Sequence, residues 1–127
     1  KRLNHLGIEA NFVGAIDEPA ITDKDLLIVG SGSGESAVPV AIVKIAKKYN
    51  AKIAHIGSNA NSSMTPYEDL FVRIPCSTKL DLPDEIKSNQ VMSSLFEQSL
   101  LLLGDMIADK EGITDLHSLW RKHANLE

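Results

Sequence analysis

"DLLIVGSGSGESAVPV", residues 25–40, decides how the rest of the chain is read. An apolar run from Leu26 to Gly30 ends in a loop of alternating glycine and serine, and a segment with helical spacing follows. An unbroken Leu, Ile and Val run reads as a strand buried on both faces, as in a parallel sheet. Glycine at 30, 32 and 34 is costly unless the backbone turns sharply or approaches something closely. In an open parallel sheet this loop lies beyond the carboxyl end of its strand, where ligands sit. The loop N–H groups and the N-terminus of the Ser36 helix favour an anion. The hydroxyls of Ser31, Ser33 and Ser36 can each donate to a phosphate oxygen.

The two common nucleotide motifs do not fit. A dinucleotide fingerprint needs glycine where Glu35 stands, and a P-loop ends in Gly-Lys-Ser/Thr. With no lysine in the loop to balance a polyphosphate, a monophosphate fits better. The spacing is equally met by a tight strand-to-helix turn in which Ser33 or Ser36 caps the helix, and the residues alone do not separate these readings.

Working outward, Asn11–Gly14 ("NFVG") is a short strand candidate and "EPAITDKD" a polar connection. Ser36–Tyr49 reads as a helix in which Pro39 is tolerated because it lies in the first turn. "KIAHIG" (Lys52–Gly57) is the next strand and "FVRIP" (Phe71–Pro75) a further one. The polar loop "SNANSSM" follows Lys52–Gly57 at the same end of the sheet, so Ser58, Asn59, Ser62 and Ser63 would face the same crevice. Turn chemistry is the plainer account of that loop taken alone. "CSTKLDLPDEIKS" is a long polar loop, Asn89–Asp109 a long helix, and Thr114–His123 a short last one. "KRLNHLG" reads as a helix end closed by Gly7. Strands alternating with helices imply a single α/β domain over residues 1–127, a three-layer parallel sheet flanked by helices.

Composition narrows the partners. The chain has 127 residues, 43% hydrophobic and 24% charged, with a net charge of −4. That balance gives no support to binding nucleic acid or an anionic membrane. The longest apolar stretch, Leu100–Leu103, is too short to cross a bilayer. One cysteine, Cys76, excludes an internal disulfide and a cysteine-based metal cluster, in keeping with a cytoplasmic location. No histidine pair has a carboxylate at metal-ligand spacing, so no metal is expected.

"SGSGES" after a strand resembles the phosphate loop of sugar isomerase (SIS) domains. "SNANSSM", "IPCSTK", "SNQVMSSLFEQSLLLLGD" and "HANLE" resemble the corresponding segments of the 6-phospho-3-hexuloisomerase family, from Arg2 onward. The resemblance implies a flavodoxin-like, SIS-type fold with five parallel strands, and a homotetramer with sites between subunits. It implies reversible isomerisation of D-arabino-3-hexulose 6-phosphate to D-fructose 6-phosphate, in formaldehyde assimilation by the ribulose monophosphate pathway, without metal or other cofactor. The family's first βα unit is not in this sequence, so a segment before Lys1 is expected. Ser36 stands where threonine is usual, and Ala60 where proline is expected.

Moving a carbonyl to an adjacent carbon needs a base that removes a proton and returns it, through a cis-enediol. Glu97 in "SSLFEQ" is the candidate base, although Ser94 to Glu97 also fits a capping box. His123 in "HANLE" is the candidate shuttle for the oxygen-bound protons. The candidate binding residues are Ser31, Gly32, Ser33, Gly34, Glu35, Ser36, Ser58 and Asn59. Glu35 should point aside from a phosphate, and Lys79 could offset its charge. His55, inside a strand, reads as a core or interface histidine. Three alternatives remain: another SIS isomerase of the arabinose 5-phosphate type, a non-catalytic sugar-phosphate sensor, and a structural subunit.

Overall fold

The computed structural model describes residues 2–110. Its elements are α1 (Arg2–His5), β1 (Leu26–Gly30), α2 (Ala37–Lys48), β2 (Lys52–Gly57), β3 (Leu70–Arg73) and α3 (Ser94–Lys110). They fall into two compact units, one spanning Ala20–Leu100 and the other built from the residues before and after it. The sheet and all the loops that carry the site lie in Ala20–Leu100. Thr114–His123, including His123, lies outside the described residues.

The strands form a parallel sheet in the order β1-β2-β3, among the described residues three strands where the resemblance implies five. β2 is central, and from Ile53 to Gly57 every residue is buried. β1 departs from the expectation of burial on both faces. Leu27 is buried, whereas Leu26 and Ile28 are more than half exposed, because the face they share with Gly30 is covered among the described residues at Gly30, where Leu100 approaches, and not along the strand.

α2 covers the other face, that of Leu27. Val43 and Ala46 join Leu27, Ala51, Ile53 and Met64 in the core, with Val29, Val40 and Ile42 packed around them. At about 25 cal/mol per Å² of apolar surface removed from water, this cluster is what holds α2 on the sheet. α2 ends as Asn50 turns left-handed at φ 59 and its N–H donates to the Lys47 carbonyl. In the other unit, α1 ends at Gly7 (φ 85), whose N–H donates to the Asn4 carbonyl, as its sequence suggests.

Two expectations are corrected. Asn11–Gly14 is a turn and not a strand: the Ala15 N–H donates to the Phe12 carbonyl and Gly14 has φ 91. The last described helix begins at Ser94 and not Asn89, because Met92 adopts φ 54 and interrupts any helix running through it.

Candidate functional site

β1, β2 and β3 run in the same direction, so the loops that follow them open at one end of the sheet. The first, Ser31–Ser36, forms one wall of a cleft of about 520 Å³. Its shape is enforced by Gly34, at φ +67, where an added Cβ would lie 2.4 Å from both Cβ and Oγ of Ser62. The loop backbone directs its carbonyls away from the cleft. Ser31 O accepts from Gly34 N and from His55 Nε2, and Gly32 O accepts from Ser58 N and Asn59 N.

Several donors are left unmatched. Among the described residues, the N–H groups of Gly32, Ser33, Ser36 and Ala37 have no acceptor. Ser36 occupies the N-cap position of α2, yet its hydroxyl makes no capping bond. Ser33 Oγ accepts from Glu35 N at 3.3 Å, which leaves its own hydrogen to donate. Ser31 is buried, but among the described residues no buried side-chain polar atom is without a partner, so its hydroxyl, which makes no hydrogen bond there, keeps access to the cleft it lines. Every helix leaves its first N–H groups without an intrahelical partner, so those of Ser36 and Ala37 come with α2; those of Gly32 and Ser33, ahead of the helix, are added to them by the loop. An oxyanion with three acceptor oxygens matches them.

The second loop does something else. Ser58 and Asn59 were expected to face the crevice, but they do not line it. Asn59 Nδ2 donates to the Ser33 and Asn61 carbonyls, and Ser58 Oγ donates to Glu85. Ser62 and Ser63 are taken up similarly. Ser62 Oγ accepts from Met64 N, and Ser63 donates through N–H and hydroxyl to the two oxygens of Glu35 at 2.8 and 2.6 Å. Those two bonds hold the Glu35 carboxyl below its ordinary range, with the charge of Lys79 acting in the same sense. Glu35 thus points to the second loop, as the charge argument requires.

The third wall comes from the long loop after β3. Glu85, only 6% exposed, gathers it. Its carboxylate accepts from Thr78 N and Oγ1, Leu82 N and Ser58 Oγ. Burial pushes its carboxyl up, but these donors together outweigh burial and hold it below its ordinary value. The packing is close: an added Cβ on Gly32 would lie 3.4 Å from Thr78 Cγ2 and 3.6 Å from Phe96 Cγ. Lys79 is exposed and lines the cleft.

Glu97, in the first turn of α3, lines the same cleft. The capping box is not formed. Ser94 Oγ donates to the Val91 carbonyl, and Glu97 N donates to Ser93 O. Among the described residues the Glu97 carboxylate has no hydrogen-bond partner, so it is free to act on a ligand. Phe96 beside it is buried core. Sequence reasoning missed Glu85 and the role of His55. Glu85 is one of three acids in its loop, with Asp81 and Asp84, and spacing alone does not say which of them turns inward.

The fold and cleft define a parallel α/β domain in which a glycine–serine loop and a carboxylate without a hydrogen-bond partner among the described residues line one cleft. The SIS domain family matches residues 8–102, and the chain belongs to that family. It is 38% identical to the 3-hexulose-6-phosphate isomerase of Bacillus subtilis (strain 168) over 130 residues, covering 99% of this chain and 70% of that protein. It is 36% identical over 129 residues to the 3-hexulose-6-phosphate isomerase of Mycobacterium gastri, covering 99% of this chain and 64% of that one. Among solved structures it superimposes on a Methanococcus jannaschii protein with a TM-score of 0.81 and 28% identity, covering 99% of this chain and 68% of that one. The crystal structure of that protein is described as inferring a molecular function of 3-hexulose-6-phosphate isomerase. The chain therefore spans about two thirds of the length of the proteins it matches.

Proposed function

We propose that this chain carries the phosphate-binding loop and the catalytic carboxylate of an isomerase interconverting D-arabino-3-hexulose 6-phosphate and D-fructose 6-phosphate. The observation that carries the reading is the set of unmatched donors on Ser31–Ser36, facing the cleft that Glu97 also lines. A phosphate monoester bound there, with Lys79 nearby, fixes one end of the sugar. A cleft of about 520 Å³ lies in the range of small-molecule sites.

In this reading Glu97 removes the proton from carbon 2 of the hexulose, and the bonding electrons form the carbon 2–carbon 3 double bond of a cis-enediol. The carbon 3 oxygen takes up a proton as the carbon 2 oxygen gives one up, and His123 is proposed to shuttle it. Glu97 then returns its proton to carbon 3. The net change moves the carbonyl from carbon 3 to carbon 2 and consumes nothing. A homotetramer with sites between subunits, a cytoplasmic setting and a place in formaldehyde assimilation by the ribulose monophosphate pathway complete the proposal.

The test is a proton-exchange measurement on D-fructose 6-phosphate in deuterated water with the intact protein. Deuterium should enter at carbon 3 and not at carbon 1. Failure to exchange at carbon 3, with turnover of arabinose 5-phosphate instead, would move the chain to another isomerase of the family. Phosphate binding without exchange into either sugar would make it a sensor.

A further inference from the structure

His55 is fully buried in the middle of β2, directly beneath the anion loop, and the mechanism above makes no use of it. Its Nε2 lies 3.0 Å from Ser31 O, and its Nδ1 lies 2.8 Å from Glu68 Oε2. A carbonyl oxygen only accepts, so Nε2 must carry the hydrogen in that contact. Glu68 fixes the ring from the other side, and Phe71 packs against it with ring centroids 5.1 Å apart. The approach is tight: an added Cβ on Gly57 would lie 2.6 Å from His55 Nε2 and 2.7 Å from Ser31 O.

A trans peptide is planar, with its C=O and the next N–H pointing in opposite directions. Holding Ser31 O against β2 therefore aims Gly32 N–H the other way, to the cleft. Gly32 O is held likewise by Ser58 N and Asn59 N, which aims Ser33 N–H outward. Without the clamp, Ser31 O keeps only the 3.2 Å bond from Gly34 N within its own turn, and the glycine that follows lets the Ser31–Gly32 peptide rotate more readily. Rotation would turn a carbonyl oxygen toward the bound anion, replacing an attraction by a repulsion.

We propose that His55, oriented by Glu68, is a positioning residue for the anion loop: it clamps the Ser31 carbonyl on the buried side so that Gly32 N–H faces the phosphate. This rests on the phosphate-binding reading given above. His55→Phe keeps a buried ring and removes the donor, whereas His55→Gln keeps a donor near the Nε2 position.

The probe is inorganic phosphate, titrated into the intact protein while the Gly32 and Ser33 amide resonances are followed, with KM and kcat measured on D-fructose 6-phosphate. His55→Phe should weaken phosphate binding and raise KM by about ten-fold, the effect of one misaligned charge-assisted hydrogen bond. Its kcat should change far less, and the Gly32 amide should no longer respond to phosphate. His55→Gln should recover most of the lost affinity. A merely structural histidine would lower Tm in both variants and leave the phosphate affinity of the folded protein unchanged; that result overturns the proposal, as does a His55→Gln no better than His55→Phe. If His55→Phe does not fold, Glu68→Gln replaces it: a weakened, shifted Gly32 response supports the clamp, and an unchanged one overturns it. Absence of phosphate binding by the unsubstituted protein overturns the anion site itself, and the clamp with it.

Discussion

Two loops that follow neighbouring strands, Ser31–Ser36 and Ser58–Met64, look alike in sequence and behave in opposite ways. Both are rich in small polar residues, and both sit at the carboxyl end of the sheet. The first leaves the N–H groups of Gly32, Ser33, Ser36 and Ala37 without acceptors among the described residues. The second commits its polar groups to the first loop, to Glu85 and to its own turns. The number of hydroxyls in a loop therefore says little about binding. What matters is which donors the fold has already used.

The strongest test asks whether the first loop binds independently of the chemistry. Glu97→Gln should lower turnover by about 10²–10⁴-fold, the usual contribution of a positioned base. Phosphate affinity should persist, and Tm should hardly move, because Glu97 makes no capping bond in the structure. Carbon 3 exchange near the wild-type rate would show that the base lies elsewhere. Next in size is Gly34→Ala, which places a Cβ 2.4 Å from Ser62 at a backbone angle of +67°. Left-handed strain and overpacking together should cost about 3 kcal/mol, read as a fall in Tm. A stable Gly34→Ala protein would mean that the two loops are not interlocked.

The contrast itself is sharpened by a pair of serines. Ser33→Ala removes a hydroxyl proposed to donate to the phosphate and should raise KM for the sugar phosphate by about ten-fold or more. Ser58→Ala should leave KM alone and lower Tm by removing a buried bond to Glu85. Equal effects on KM would erase the distinction. Glu85→Gln should be destabilising by about 1–3 kcal/mol, because an amide cannot accept from Thr78 and Leu82 as a carboxylate does. Because the folded-state pKa of Glu85 is lowered from 4.5, its stabilisation is fully present above that value. It is lost as pH falls through the lower folded-state value, so the Tm difference between wild type and Glu85→Gln should shrink in acid. The smallest effect belongs to Ser63→Ala. Its bond to the exposed Glu35 should matter little to Tm, while Glu35 should titrate closer to its ordinary value by NMR.

Most of the fold was legible because apolar runs mark strands directly. "LLIVG" and "KIAHIG" form strands over those same residues, and the helix after the glycine–serine loop differs by one residue at each end. "NFVG" misled because its apolar residues sit in a turn, where Gly14 at φ 91 redirects the chain. The start of α3 misled because Met92, a residue seldom left-handed, ends the preceding turn. Within the site, the serines of the first loop were legible from their position between strand and helix. The supporting roles of Ser58, Asn59, His55 and Glu85 were not, because each has a partner far along the chain: His55 meets Ser31 at a separation of 24, Asn59 meets Ser33 at 26, and Ser58 meets Glu85 at 27.

The interlock between the loops has a consequence for anyone moving this site to another scaffold. The Ser31–Ser36 hexapeptide is not a portable cassette. Its carbonyls at 31, 32 and 33 are held by His55, by the Ser58 and Asn59 amides and by the Asn59 side chain. Grafted alone between a foreign strand and helix, it would arrive as a flexible glycine-rich linker with no preferred orientation of its amides. The smallest transferable piece is both strand ends together, β1 with its loop and β2 with the loop that follows, kept in parallel register at Gly30 opposite Ile56.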